Sequence, residues 1–430
     1  MKFYSTNRQS APVDFMEATI KGQAPDKGLY FPEQVPVLSE QLVANFRNLG
    51  KTELAYEVIR PYVGGLIPDA ELYRIAGETV DFDFPLIQVS EGIYTLELFH
   101  GPTLAFKDVG ARFMSRCLGY FSKKQSERVI VLVATSGDTG GAVAKGFYDV
   151  PGVDVVILYP SGKVSSVQEK QLTTLGRNIH AIEVMGNFDD CQSMVKKAFA
   201  DPSLTRKLML TSANSINVAR WLPQQFYYFY ASQQWPYKEP PVISVPSGNF
   251  GNICAGLLAH KSGLPVDHFI AACNANDVVA RFFASGKMEP KSAIATISNA
   301  MDVGDPSNFV RILELFEHQF PGLQKMLSSY SFSDEETREE IKKVYTENNY
   351  LLDPHGAVGS LGLKKYLAES GKRSGYFLET AHPVKFYDVV EPVIGEKVDV
   401  PEVIERILPL EKNATLMNND YNELKEYLLR

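Results

Sequence analysis

Cysteine is scarce in this chain. Its four residues in 430 (Cys117, Cys191, Cys254, Cys273) form no C-x-x-C pair and no regular spacing. That excludes a disulfide framework in a chain of this length and leaves metal ligation by cysteine unsupported, so no metal is expected. Positive charge is in deficit too. Lys and Arg total 43 against 51 Asp and Glu, a formal net charge of −8. Nucleic acid and anionic membrane are thereby excluded as general partners, and any anionic ligand must be held by a local site. Long hydrophobic runs are absent. The longest, such as VIVLVA at 129–134, suit buried strands and fall far short of a membrane span, and MKFYSTNRQS lacks the apolar core of a signal peptide. There is no low-complexity tract, long linker or solenoid repeat. A soluble, reduced, cytoplasmic protein is expected, and at 45% hydrophobic it can bury a large core in two or three domains.

What is present changes character along the chain. LSEQLVANFRNLG, TELAYEVIRPYV and DAELYRIAGETV carry helical patterning broken by Pro and Gly, beside the turn-rich phrase DKGLYFPEQVP. A mainly helical N-terminal domain over 1–90 is expected, with its boundary near DFDFPL at 81–86. From Val129 a β-branched run, a polar glycine-bearing turn and a helical pattern follow one another: VIVLVA, TSGDTGG, AVAKGFY. The order recurs in PVISV, PSGNFGN, ICAGLLAH. Further strand candidates are VDVVILYP (153–160), HAIEVMG (180–186), LMLTSA (208–213), HFIAACN (268–274) and SGYFLET (374–380). Strands alternating with helices imply parallel sheets covered on both faces, an α/β class. Later, Ser333 and Glu336 have capping-box spacing ahead of an apolar stripe, Ile341, Val344 and Tyr345.

Three short stretches carry chemistry. In GPTLAFKDVG (101–110), Lys107 follows the apolar run Leu104, Ala105, Phe106. Lysines ordinarily keep the ammonium wet. Either Lys107 is a surface lysine at a bend paired with Asp108, or it is a reactive amine whose apolar setting lowers its pKa for Schiff-base chemistry. The other two stretches are one pattern used twice: Ser-Gly-Asp-Thr-Gly at 136–140 and Ser-Gly-Asn-Phe-Gly at 247–251, each between a predicted strand and a predicted helix. Glycine lets the backbone turn sharply and approach a ligand, and the free N–H groups of the first helical turn favour an anion. The first adds hydroxyls from Thr135, Ser136 and Thr139; the second adds Ser247, Asn249 and Asn252 and contains no cation. Neither has Rossmann or P-loop spacing, so each alone also fits an ordinary strand-to-helix turn. Together with the lysine they suit a phosphorylated cofactor beside an anionic substrate.

GPTLAFKD, ATSGDTG, PSGNFGN and ETAHPVKF (379–386), in this order and with DKGLYFP, LYPSGKVSSVQEKQL (158–172) and NSINVAR (214–220), resemble threonine synthase of the bacterial and fungal branch nearly end to end. The resemblance implies the tryptophan-synthase-β-like fold (fold type II of the pyridoxal-phosphate enzymes), with parallel-rich sheets flanked by helices. It also implies residues 91–115 and 241–430 as the large cofactor-binding domain and 116–240 as a small α/β domain. The implied reaction converts O-phospho-L-homoserine and water to L-threonine and phosphate by γ-elimination and β-addition of water, with pyridoxal phosphate as cofactor. The molecule would be a monomer or small homo-oligomer.

The same resemblance implies roles. Lys107 would hold the cofactor as a Schiff base and then shuttle protons at the α and β carbons. Gly248, Asn249, Phe250, Gly251 and Asn252 would cradle the cofactor phosphate, and Thr380 would meet the pyridine nitrogen. Asp138 stands where many relatives of the fold carry an asparagine facing the phenolic oxygen, and two negative oxygens there repel unless one is protonated. Ser136 and Thr139 would grip the substrate carboxylate; Lys163, Asn214, Asn217 and Arg220 would form the substrate side with its phosphate. That provision for a second phosphate is what a serine or threonine dehydratase on the same fold does not need. A non-catalytic phospho-ligand-binding relative is the other alternative, against which Lys107 argues. His100 and His355 are read as structural and His382 as a residue that orients its turn. FYYFY (226–230) is read as a core or interface helix face, and DEETREE (334–340) as a solvated helix start.

Overall fold

Strands in this molecule form wherever short β-branched runs are bounded by turns, and two parallel sheets result. The computed structural model describes residues 1–123 and 128–430. Near the N-terminus β1 (Phe3–Ser5) and β2 (Tyr30–Pro32) pair antiparallel, and β3 (Leu86–Ser90) and β4 (Ile93–Glu97) follow the first helices. Next come β5 (Val129–Ala134), β6 (Val153–Pro160), β7 (Ile179–Met185) and β8 (Met209–Thr211). The rest are β9 (Val242–Pro246), β10 (His268–Cys273), β11 (Leu327–Ser331), β12 (Gly375–Glu379) and β13 (Thr415–Asn418).

A six-stranded sheet has the order β11-β10-β9-β12-β4-β3, and a five-stranded sheet the order β13-β7-β6-β5-β8. Every pairing in them is parallel except β3 with β4. The central strands β9, β10 and β12 are buried along their whole length, as continuous Val/Ile/Ala/Phe runs covered on both faces must be. The seven strand candidates of the sequence are all present. The unforeseen strands β1 to β4, β11 and β13 are short, and β3, β11 and β13 lie at sheet edges, where the apolar signal is weak. β13 returns the chain end to β7 of the smaller sheet.

The three N-terminal helical segments appear as helices at Glu40–Asn45, Lys51–Val63 and Asp69–Thr79. They are tied to the core through FYYFY. Tyr227, Tyr228, Phe229 and Tyr230 are buried in the helix Phe226–Gln234, which packs on the Lys51–Val63 helix. Tyr230 stacks on Phe84 with ring centroids 5.1 Å apart, a contact worth about 0.5–1.5 kcal/mol beyond area burial. The helix Asp334–Asn348 begins with the expected capping box of Ser333 and Glu336, and buries Ile341 and Val344. Among the described residues, no helix is long and apolar enough to cross a membrane.

Candidate active site

Lys107 is the first residue of the helix Lys107–Ser122, and Ala105, just before it, bridges Ala381 beyond the end of β12. The loop before it is pinned by main-chain bonds. Phe106 donates its N–H to the Thr380 carbonyl at 2.9 Å, and His382 donates to the Leu104 carbonyl at 3.1 Å. Leu104 adopts a left-handed conformation (φ 56°), which turns the apolar run inward. The pairing with Asp108 that a surface lysine would make is absent. The buried Asp108 carboxylate instead accepts from the Thr103 N–H (2.9 Å) and hydroxyl (2.6 Å). Burial lowers the pKa of Lys107; the Asp138 charge opposes this, and Lys385 and Arg220 reinforce it.

Asp138 opens the helix Asp138–Phe147 with one oxygen, Oδ2, 3.9 Å from the Lys107 amine. Its other oxygen, Oδ1, is held by the wholly buried Lys385 at 2.7 Å and accepts from the Gln168 amide at 3.0 Å. Burial pushes this carboxyl up, but Lys385 and then Lys107 outweigh that and hold it well below the usual carboxylate range. An ammonium group therefore keeps the Asp138 carboxylate ionised. Lys385 and Gln168 lie in stretches that marked the resemblance, yet neither was singled out. The signal for Lys385 was visible: it stands in Val-Lys-Phe, the setting that flagged Lys107 in Ala-Phe-Lys.

In the first cradle, Gly137 sits at φ 146°, and a Cβ there would lie 2.5 Å from the Gln168 side chain. Thr135 serves the loop itself, its hydroxyl accepting from the N–H groups of Gly137 (3.0 Å) and Gly140 (2.9 Å). Ser136 and Thr139 are half-buried, and their hydroxyls make no such internal bond.

The second cradle precedes the helix Gly251–Lys261. Among the described residues, no backbone carbonyl accepts from the N–H groups of Gly248 to Asn252. Gly248 is pressed against Met301, whose Cα would lie 2.5 Å from an added Cβ, and Phe250 is buried in a left-handed conformation (φ 60°). Asn252 accepts from the Tyr228 hydroxyl at 2.8 Å and leaves its buried amide nitrogen without a partner. Unbonded N–H groups, an orphaned amide and a helix N-terminus without a local cation fit a phosphate. Asn249 differs: its amide donates to the Ser215 hydroxyl (2.8 Å) and its oxygen accepts from the Ser307 N–H (2.7 Å), so it braces the loop.

Ser215 links this loop to the 214–220 segment. Asn217 is fully engaged there: its oxygen caps the helix Val218–Trp221, and its amide donates to the Thr19 and Ser212 carbonyls. It holds the segment and has no N–H left for a ligand. Asn214 is half-buried. Arg220 is buried, donates to the Ala213 carbonyl and leaves Nε unpartnered; burial brings its pKa down to about 10. Arg311, unforeseen, is wholly buried over Trp221, donates to the carbonyls of Tyr30, Ser215 and Ile216, and is lowered by burial to about 9. No carboxylate pairs with either arginine among the described residues, which leaves positive charge for an anion. Lys163 lies apart from these contacts, exposed after β6.

The three histidines sort differently. His100 is exposed and meets Glu97 at 2.6 Å. His382 accepts from the Val384 N–H at 3.1 Å and so orients the turn that carries Lys385. His355 accepts from the Ala300 N–H at Nε2 (3.2 Å), which places its proton on Nδ1 facing Asp353 at 2.5 Å. Asp353 in turn offers its N–H to Glu379 at 2.5 Å. Burial, with the Asp353 charge, raises the Glu379 pKa well above its usual value, and its Oε2 has no partner. Thr380, which follows Glu379, is buried and hydrogen-bonded through its carbonyl to Phe106.

Known proteins resemble this chain in sequence and fold. Residues 85–375 match the family described as pyridoxal-phosphate dependent enzyme, residues 2–80 the threonine synthase N terminus, and residues 356–428 the threonine synthase C-terminal family. The threonine synthase of Haemophilus influenzae is 43% identical, with both chains fully covered. The crystal structure of threonine synthase from Escherichia coli superposes with a TM-score of 0.93 at 40% identity, covering 100% of this chain and 99% of that one. The structure of threonine synthase with bound pyridoxal phosphate from Brucella melitensis gives 0.92 at 34% identity, covering 100% and 98%.

Proposed function

The chain belongs to the threonine synthase family of pyridoxal-phosphate enzymes, and from that premise we propose how its own residues convert O-phospho-L-homoserine and water to L-threonine and phosphate. Dehydratase-type and non-catalytic alternatives are not favoured. Lys107 holds the cofactor through its amine, Gly248, Phe250, Gly251 and Asn252 hold its phosphate, and Thr380 offers a hydroxyl to the pyridine nitrogen. Asn249 acts on the same phosphate by keeping the loop in place. Bound pyridoxal phosphate supplies an electron sink for charge developing at the α and β carbons.

The remaining roles follow from where the chain places its groups. With its amine free, Lys107 would take and return protons at the α and β carbons, work that requires an amine with a lowered pKa. Ser136 and Thr139, with the free N–H groups of their turn, bind the substrate carboxylate. Arg220 binds the substrate phosphate and stabilises charge on the departing oxygen, Asn214 lies beside it, and Asn217 and Arg311 fix that segment. Lys163 draws the dianion in from the rim, which matters for a protein of net charge −8. The division into 1–90, 91–115 with 241–430, and 116–240 belongs to the same proposal, with β13 lent back to the smaller sheet. So does a monomeric or small homo-oligomeric state with a small molecule as its partner.

The observation that carries this reading is the Lys107 amine, on a side chain only 17% exposed, 3.9 Å from an ionised Asp138. Borohydride reduction followed by peptide mass spectrometry tests it. A pyridoxyl group on Lys107, with phosphate release from O-phospho-L-homoserine before reduction and none after, is expected. Label on another lysine overturns the assignment.

A further inference from the structure

Among the described residues, Lys385 is the one wholly buried ammonium group at the site with no part in the roles above. Its side chain is 0% exposed, it is fixed by the Thr103 carbonyl at 2.9 Å, and it reaches Oδ1 of Asp138 at 2.7 Å. Both short contacts of Asp138, from Lys385 and from Gln168, fall on Oδ1, so Oδ2 is the oxygen turned toward Lys107. We propose that Lys385 is a positioning residue for Lys107: it orients the Asp138 carboxylate and neutralises part of its charge, so that Lys107 meets an aimed but weakened anion. The inference rests on the reading of Lys107 given above.

The physical need is plain. A bare carboxylate 3.9 Å from an amine in a dry site favours the ammonium form, which has no lone pair with which to take up a carbonyl cofactor or accept a proton. An asparagine would remove that pull but also the negative charge. The Asp138–Lys385 pair keeps a directed oxygen with a reduced net field. The charged groups facing Lys107 are Asp138, Lys385 from the turn Pro383–Phe386, Arg220 from the helix Val218–Trp221, and Asp353 ahead of the helix Pro354–Ser370. Of the two cations, Lys385 has the larger influence on Lys107, and Asp138 has a larger influence than either one alone.

The test is a spectrophotometric pH titration of the cofactor-loaded protein, following the borohydride-sensitive visible band. Lys385→Met removes the cation, and the midpoint should rise by about one pH unit or more. Lys385→Arg should stay close to wild type. Asp138→Asn combined with Lys385→Met removes both members of the pair together, and its midpoint should fall below wild type because the nearer anion is lost. This opposite sign keeps the test decisive if Lys385→Met alone fails to fold. A midpoint that stays at the wild-type value in the double variant, or in a folded Lys385→Met protein, means that Lys385 serves folding alone and overturns the inference. Absence of any borohydride-sensitive band in wild type would instead overturn the assignment of Lys107.

Discussion

Phe106 and Thr380 are joined by a main-chain hydrogen bond, 2.9 Å from the Phe106 N–H to the Thr380 carbonyl. The residue before the lysine proposed to carry the cofactor and the residue proposed to meet the pyridine nitrogen are therefore fixed to each other without either side chain. The Thr380 hydroxyl can be removed while the anchor stays in place. Thr380→Val should keep the borohydride-sensitive band and lower kcat by up to about ten-fold, the worth of one neutral hydrogen bond. Loss of the band itself would show that the hydroxyl holds the loop.

Lys107→Ala should fold, because Asp138 keeps Lys385 and Gln168. It should bind the cofactor weakly and without a covalent bond. Turnover should drop by at least about 10²–10⁴-fold, the contribution of general acid–base catalysis alone. Near-normal threonine formation by this variant would remove Lys107 from the mechanism.

The two glycines of the second cradle are not equivalent. A Cβ on Gly248 would lie 2.5 Å from backbone of Met301, whereas on Gly251 the nearest atoms are 3.4 Å away. Asn249 braces the same loop with two hydrogen bonds, worth together about 1–3 kcal/mol. The loss of cofactor affinity should therefore follow the order Gly248→Ala, Asn249→Ala, Gly251→Ala, from largest to smallest. Titration of the cofactor-free chain with pyridoxal phosphate reads the order, and a Gly251→Ala effect exceeding that of Gly248→Ala would contradict it.

How much of this was legible depends on where each signal resides. Long buried runs such as VIVLVA and HFIAAC announce themselves, because a strand covered on both faces must be apolar throughout. LSSYS at 327–331 and TLMN at 415–418 do not, since edge strands draw their stability from one neighbour and tolerate polar residues. Lys107 stands out through its neighbours in sequence. Lys385 satisfies the same local rule but gains meaning only from Asp138, nearly 250 positions earlier. Asn217 illustrates the converse: a motif marks the residue, and only its bonds to Thr19 and Ser212 show that the amide is already engaged.

Glu379 makes stability depend on pH in a defined direction. Its pKa is raised above its unfolded value of about 4.3, chiefly by burial and then by Asp353. Above that pH the folded state keeps a proton the unfolded state has lost, so this residue's contribution declines as pH rises toward the folded pKa. Asp138, whose pKa is depressed, contributes in the opposite sense, and its share is lost only as pH falls below about 4. Glu379→Gln cannot titrate. Whatever its offset at pH 5, the stability difference between variant and wild type should move in favour of the variant between pH 5 and 8. Denaturant unfolding at several pH values measures this, and a difference that does not change with pH would place the proton elsewhere.

Arg220 and Lys163 test the provision for a second phosphate, which separates this chemistry from dehydration on the same fold. The two cations differ in setting. Arg220 is buried, has an unpartnered Nε and lacks a carboxylate, while Lys163 is exposed beyond β6. A buried guanidinium gripping a dianion works through directed, charge-assisted hydrogen bonds, each worth on the order of 1.5–3 kcal/mol. Arg220→Lys keeps the charge but loses the planar fork, and should already lower kcat/KM by about ten- to a hundred-fold. An exposed lysine acts through its field, which salt screens over a Debye length of about 8–10 Å. Lys163→Ala should therefore raise KM a few-fold at low ionic strength, leave kcat nearly unchanged, and approach wild type as salt is added. Both variants should keep the cofactor band, because the cofactor phosphate is proposed to sit at Gly248–Asn252. A lost band in Arg220→Lys would assign that arginine to the cofactor, and wild-type kinetics in it would take the substrate phosphate away from the 214–220 segment.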